Sequence, residues 1–424
     1  MILLLFIVFI VCLVLRFPIA FSLGLSCLAY LVLKQIPLIV IPMKLYSGID
    51  VFVLLSIPGF IIAGNLMNYG GLTEKIVTFC NHLLGHITGG LSLVNVGASM
   101  LFSGISGTAV SDTASLGSIL IPAMKKEGYD IDFSCAVTAS SSTMGPIIPP
   151  SIPMIIAATL SGLSVGRLFL AGTIPGLLLG AGLMATAYFI SRKKNYPKLP
   201  KSNVKQILYS FKDTFWSLLM TFIILFGIIG GVFTPTEASI IAVVYALLIG
   251  LFVYKKLNLK KVQVIVLDSM KTSASLMLLV GFANLFGWIL ITEQVPQLIS
   301  SEILGVSTNK YVVLLLINLL LIFVGTFMET IAALLILFPI LLKVAISVDI
   351  DPIHFAVIAV LNLIIGLTTP PVGVCLFIAS SIGKISIGKV SKASLPFLFV
   401  SFLVLALVTL LPSLSLTLPS WIMD

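Results

Sequence analysis

Residues 140–151 read SSSTMGPIIPPS and lie inside an apolar run, residues 133–162, that is long enough to cross a bilayer. A proline removes a backbone N–H and clashes with the preceding helical turn. The pair Pro149-Pro150, with Gly145 four residues earlier to permit unusual dihedrals, therefore predicts a helix unwound at mid-span. Unwinding frees carbonyls that hydrocarbon cannot satisfy, so irregular backbone at this depth belongs inside protein or beside a cavity. A second stretch repeats the pattern. Residues 362–372, NLIIGLTTPPV, place Gly366 four residues before Pro370-Pro371 in the run 354–382.

The correspondence extends along the chain at an offset of about 217 residues. Ile119-Leu120-Ile121-Pro122 answers Ile336-Leu337-Phe338-Pro339, and Arg16-Phe17-Pro18 answers Phe233-Thr234-Pro235. Apolar spans at about 2–15, 18–33, 50–69, 133–162 and 168–190 answer spans at about 214–232, 236–254, 273–291, 354–382 and 391–412. Two further segments, about 89–125 and 310–345, have room for a re-entrant pair of half-helices. Five crossings per half is an odd number, so the second copy enters the membrane inverted, an arrangement found in secondary transporters. The sequence thus predicts an all-α polytopic membrane protein of two inverted repeats, each with a re-entrant helical hairpin and a Gly/Pro-broken helix. The first repeat spans 1–190, a basic cytoplasmic linker 191–213, and the second repeat 214–424. Residues 72–87 (LTEKIVTFCNHLLGHI) carry one apolar stripe and read as an arm helix lying in the interface.

Composition agrees. Of 424 residues 59% are hydrophobic and 9% charged, against about 25% charged in soluble domains. The net charge of +9 does not point to nucleic acid. Its basic residues sit in short loops between apolar runs, 19 of the 24 on one side if the N-terminus is outside, as the positive-inside rule requires. Lys34, Lys44, Arg167, Lys310 and Lys343 fall on the other side. The five cysteines stand singly and the three histidines lack ligand spacing, which argues against a disulfide framework or a zinc site. The first apolar run has no basic n-region and no cleavage site, and reads as a membrane helix.

Chemistry at membrane depth concentrates in the two breaks and the two hairpin tips. The first tip, SGISGTAVSDT (residues 103–113), is paired with GTFMET (residues 325–330) by a Gly-Thr followed by an acid and a Thr. A desolvated cation is well served by freed carbonyls. One Na⁺ site is assigned to carbonyls of Gly145, Ile148 and Pro149 with Ser103 and Ser106, and a second to Gly366, Thr369 and Val372 with Gly325. Helix N-termini at the tips offer N–H donors to a carboxylate, which makes Gly107, Thr108, Thr143, Thr326, Asn362 and Thr368 substrate-binding or supporting residues. Asp112 and Glu329 are costly in a membrane, about 2.5–3.5 kcal/mol each at its centre, and so face inward. Two roles are open to them, ion ligand or brace of the hairpin. Asn65, Asn68 and Asn284 read as helix–helix glue. The string Gly104-Ile105-Ser106-Gly107 also fits an intramembrane serine protease. No histidine is well placed to serve Ser106 as base, though, and the tip at Gly325 holds no serine.

The motifs GISGTAVSDT (residues 104–113), MGPIIPPS (144–151) and GLTTPPVG (366–373), with RFPIAF (16–21) and GVFTPTEA (231–238), together resemble the large membrane (M) subunit of the tripartite ATP-independent periplasmic (TRAP) transporters. The resemblance covers essentially the whole chain. It implies an elevator-type transporter, not an enzyme, with Na⁺ as coupling ion and no organic cofactor. It implies import of an organic acid, sialic acid or a C4-dicarboxylate, handed over by a periplasmic substrate-binding protein (P). It implies a small membrane subunit (Q), on a separate polypeptide given the length of this chain. The location implied is the bacterial inner membrane, with both termini periplasmic. The alternative is an ion-coupled carboxylate transporter working without a binding protein.

Overall fold

The computed structural model describes residues 2–15, 17–307 and 309–423. Arg16, part of the charge count and of one repeat match, lies outside them. The described residues form helices joined by short turns. The first half contains α1 (Ile2–Val14), α2 (Ile19–Leu33), α3 (Val40–Ile49), α4 (Ser56–Tyr69), α5 (Leu72–Leu84), α6 (Gly90–Ser106), α7 (Ala109–Lys126), α8 (Ile131–Ser141), α9 (Ile152–Ser161) and α10 (Val165–Lys193). The second contains α11 (Val204–Ile229), α12 (Pro235–Leu248), α13 (Leu259–Thr292), α14 (Val295–Val306), α15 (Lys310–Gly325), α16 (Thr330–Ser347), α17 (Pro352–Gly366), α18 (Val374–Gly383), α19 (Ile387–Leu410) and α20 (Ser413–Met423). From α6 to α10 and from α15 to α19 the helices run in the same order, with starts about 220 residues apart.

The helix starts follow from capping. Thr234 and Glu237 form a capping box ahead of α12, with Pro235 at its first position. Asp351 accepts from the N–H groups of Ile353 and His354 at 2.8 and 3.1 Å to begin α17. Gly107 ends α6 at φ +63°, a conformation cheap only for glycine, and so turns the chain into α7.

Two groups of helices emerge. A frame is built where α4 packs on α12 and α13, α3 on α13, and α2 on α1 and α13. An inner body is built where α7 packs on α8 and α18, α8 on α19, α10 on α6, α19 and α20, and α17 on α15 and α16. The arm α5 connects them, lying on α6 and α11. Helix α17 is buried from Ile353 to Gly366 and forms the middle of the inner body. Among the described residues seven helical stretches are long and apolar enough to cross a membrane, including Val165–Lys193, Val204–Ile229 and Leu259–Thr292. This is an all-α, multi-pass membrane protein.

Several boundaries differ from the sequence reading. The linker does not run to residue 213. Asn203 and Gln206 make a capping box that starts α11 at Val204, inside the basic stretch. There Lys75 of the arm binds Asp213 at 2.7 Å. The arm stops at Leu84 with Gly85 as its C-cap, short of residue 87. The span placed at 273–291 is the end of α13, which begins at Leu259 where the Asn258 side chain accepts from the Lys261 N–H at 2.8 Å. Helices α3, α14 and α20 lie between or beyond the expected spans.

Candidate functional site

Helices α8 and α9 are the two halves of the first broken helix, and α17 and α18 those of the second. Both breaks carry a cis peptide bond, at Pro149-Pro150 and Pro370-Pro371. After the first, Ser151 restarts the helix by accepting from the Met154 N–H at 3.2 Å, with Pro153 in its first turn. The first tip, between α6 and α7, is set against this break. A methyl on Gly107 would lie 2.9 Å from the Pro150 carbonyl oxygen, and one on Gly145 would lie 2.5 Å from Oδ2 of Asp112. Tip and break therefore meet at contact distance through positions without side chains.

Asp112 is the centre of this contact and is 0% exposed. Its Oδ1 accepts from the Ser106 hydroxyl, while Oδ2, facing Gly145, has no hydrogen-bond partner among the described residues. Ser103 is buried and donates to the Ser99 carbonyl at 2.5 Å, which leaves its oxygen lone pairs available. Thr108 caps α7 by accepting from the Ser111 N–H at 3.4 Å. Thr143 donates to the Ser140 carbonyl at 2.6 Å. Ile148 packs its side chain toward Gly176, and with Pro149 completes the bend. The structure thus brings Ser106, Gly107, Asp112, Gly145 and the Pro149-Pro150 turn together. A hard cation needs oxygen ligands, and a half-satisfied buried carboxylate beside proline-freed carbonyls supplies that donor type.

The second site is built differently. Gly366 packs on the second tip so closely that a methyl there would lie 2.5 Å from both C and O of Gly325. The Gly366 carbonyl already accepts from the Thr369 N–H at 3.0 Å. Thr326, Thr368 and Thr369 turn their hydroxyls back to their own helices, onto the carbonyls of Phe323, Ile365 and Ile365. Val372 is half-buried, and Pro370 and Pro371 are exposed, whereas Pro149 and Pro150 are buried. Asn362 donates to the carbonyl and to Oδ1 of Asn318, at 3.0 and 2.7 Å, and so ties α17 to α15.

Pairing Asp112 with Glu329 needs correction. Counting from the helix starts, Ala109 and Thr330, Glu329 stands where Thr108 does. Like Thr108 it is an N-cap, accepting from the Ile331 and Ala332 N–H groups at 2.9 and 3.2 Å. Glu329 caps the second helix of its hairpin, where Ala333 stands at the place of Asp112.

Other residues join the site without a motif to mark them. Thr221 of α11, a helix that packs on α12 of the frame, donates to the Gly104 carbonyl at 3.0 Å and holds the first tip. Behind that tip Asn95 donates to Thr138 at 2.6 Å and Ser99 to Ser141 at 2.8 Å. A polar cleft of about 520 Å³ separates the frame from the hairpin, with Asn65 and Asn68 of α4 facing Ser111, Ser115 and Ser118 of α7. Asn65 bonds to Ser269 within the frame at 2.8 Å, but Asn68 donates across the cleft to Ser115. The spacing 111, 115, 118 puts these serines on one helix face, the one sequence signal that could have found this stripe. Ser106 has no histidine partner: His82 bonds to Ser202 and His354 to Ser415.

Two helical tips set against two proline-broken helices inside a membrane frame define a secondary-transporter type of membrane protein. The sequence profile of the tripartite ATP-independent periplasmic transporter DctM component matches residues 6–414, and the chain belongs to this family. It is 45% identical to the sialic acid TRAP transporter large permease protein SiaM of Vibrio cholerae, over 95% of this chain and 94% of that one. It is 40% identical to the C4-dicarboxylate TRAP transporter large permease protein DctM of Pseudomonas aeruginosa, over 95% and 94%. It is also 40% identical to the isethionate TRAP transporter permease protein DctMQ of Oleidesulfovibrio alaskensis, over 95% of this chain and 64% of that protein. Its fold is similar to that of the YdaH transporter of Alcanivorax borkumensis, with a TM-score of 0.58 at 15% identity, covering 90% and 87%. The protein is a large permease of the bacterial inner membrane, not an enzyme.

Proposed function

We propose that this permease imports an organic acid by Na⁺ symport, with a periplasmic binding protein delivering the substrate and a small membrane subunit supporting the frame. The observation that carries the reading is the buried Asp112, bonded to Ser106 and facing Gly145 with one oxygen unpartnered. Na⁺ at this first site takes Ser103, Ser106 and carbonyls of Gly145, Ile148 and Pro149. At the second it takes carbonyls of Gly325, Gly366, Thr369 and Val372. Each ion joins a tip to a break, so ion binding orders the space between them for a carboxylate, and the linkage is reciprocal. Relatives named for sialic acid and C4-dicarboxylates support an organic acid as substrate, and sialic acid is the one to assay first. The two halves act as inverted repeats. The inner body moves against the frame in an elevator motion along the cleft between α4 and α7. Both termini face the periplasm, which puts the basic loops inside.

The test is uptake into proteoliposomes holding the chain with its small subunit, supplied with binding protein and labelled sialic acid or C4-dicarboxylate. Uptake should require an inward Na⁺ gradient, and Ser103→Ala with Ser106→Ala should weaken its Na⁺ dependence. Uptake indifferent to Na⁺ would overturn the ion sites. Uptake without a binding protein would place the chain among carboxylate transporters that work alone.

A further inference from the structure

A cavity of about 910 Å³ opens at the basic end of the inner body, between the start of α8, the end of α10 and the start of α19. Its rim carries Lys193 and Lys194 from α10 and Lys389 and Lys392 from α19, and its wall includes Phe133, Ile190 and Pro396. Two carboxylates also line it, and one of them is paired with a lysine. Asp130 accepts from Lys194 at 2.5 Å and from the Tyr196 hydroxyl at 2.8 Å, and Asp132 accepts from the Phe133 N–H at 2.8 Å. Lys193, Lys389 and Lys392 have no carboxylate partner among the described residues. Asp132 keeps its charge, so four lysines face two carboxylates and the cavity holds an excess of positive charge that favours an anion. The N-termini of α8 and α19 open on the same space and add positive potential.

The surroundings select the kind of anion. Leu395 and Phe399, within two turns of Lys392 on α19, are 55% and 69% exposed, and Phe189 beside Ile190 on α10 is 65% exposed. An apolar, outward-facing flank next to a basic cavity suits a molecule with a charged head and hydrocarbon tails. Basic pockets between helices on the cytoplasmic side hold anionic headgroups in this way. We propose that the ends of α8, α10 and α19 form a binding site for the phosphate headgroup of an anionic phospholipid, with its acyl chains along Leu395 and Phe399. The bound headgroup lies at the start of the first broken helix and is carried with the inner body.

The experiment is native mass spectrometry of the full chain, purified with its small subunit, titrated with dioleoyl-phosphatidylglycerol, cardiolipin or phosphatidylcholine. One anionic lipid should be retained in preference to phosphatidylcholine. Lysines near an anionic headgroup contribute about 1 kcal/mol each, so Lys389→Gln with Lys392→Gln should weaken retention roughly 30-fold. Lys389→Arg with Lys392→Arg should keep it, which separates loss of charge from loss of fold. Lys260→Gln with Lys261→Gln, at the start of α13, should leave it unchanged. Equal retention of phosphatidylcholine, an equal loss in the Lys260/Lys261 variant, or full displacement by millimolar inorganic phosphate would each overturn the proposal.

Discussion

Asp112 and Glu329 show how one residue type serves two ends. The Glu329 carboxylate is spent on the first N–H groups of α16. Glu329→Ala should therefore cost about 0.5–2 kcal/mol of stability, as other lost caps do, without changing the Na⁺ dependence of uptake. Thermal denaturation and a Na⁺ titration separate the two readouts. Asp112 gives one oxygen to Ser106 and keeps the other toward Gly145. Asp112→Asn preserves the shape and removes the charge, and the Na⁺ concentration for half-maximal uptake should rise at least about tenfold, the factor that 1.4 kcal/mol represents. An unchanged Na⁺ titration in that variant would leave Asp112 a brace like Glu329. Asp130 offers a pH test outside the membrane. Its hydrogen bond from Lys194, then that from Tyr196, hold its carboxyl below the ordinary value of 3.8. The pair then stabilises fully above the ordinary carboxylate range and loses its effect as pH falls through the lowered folded value. Asp130→Asn should destabilise at neutral pH by less than about 1 kcal/mol, because the pair is exposed, and should match the parent in strong acid.

At the scale of elements, the joint between tip and break decides what a helix may carry at its closest point. Gly366→Ala would drive a methyl into the Gly325 backbone. Backbone cannot swing aside as a side chain can, so uptake should be lost with a clear fall in melting temperature. Gly388→Ala, where nothing lies within 4 Å, is the neutral control. The cleft between α4 and α7 gives a test of motion. Cysteines replacing Asn68 and Ser115, which now bond to each other, should cross-link under oxidation and stop uptake, and reduction should restore it. Much of this joint was legible beforehand, because proline and glycine act on backbone geometry wherever they stand. Gly145 with Pro149-Pro150 and Gly366 with Pro370-Pro371 read as breaks for that reason. The roles of Glu329, Asn362 and Thr368 were not legible. A carboxylate, amide or hydroxyl at a given spacing can turn to its own helix or away from it, and only packing decides. Asn362 illustrates this, since its partner Asn318 lies on a separate helix with no motif of its own.

For the whole molecule, the order of the helices followed from hydropathy, but their lengths did not. Caps such as Asn203 and Asn258 extend α11 and α13 into polar sequence where hydropathy is silent. The result is a frame of unequal members. Helix α13 has 34 residues and packs against α2, which has 15. At 1.5 Å per residue these are about 51 and 23 Å long, beside a hydrocarbon layer of about 30 Å. The first turns of α13 are polar sequence that belongs among the headgroups, so of the two only α2 falls short of that layer. A short span of this kind is met by thinner lipid around it. Acyl-chain length thereby becomes a control on this protein. Uptake should be faster in proteoliposomes of shorter-chain phospholipids than of longer-chain ones at equal fluidity, because a thinner sheet relieves the strain that α2 places on its lipids.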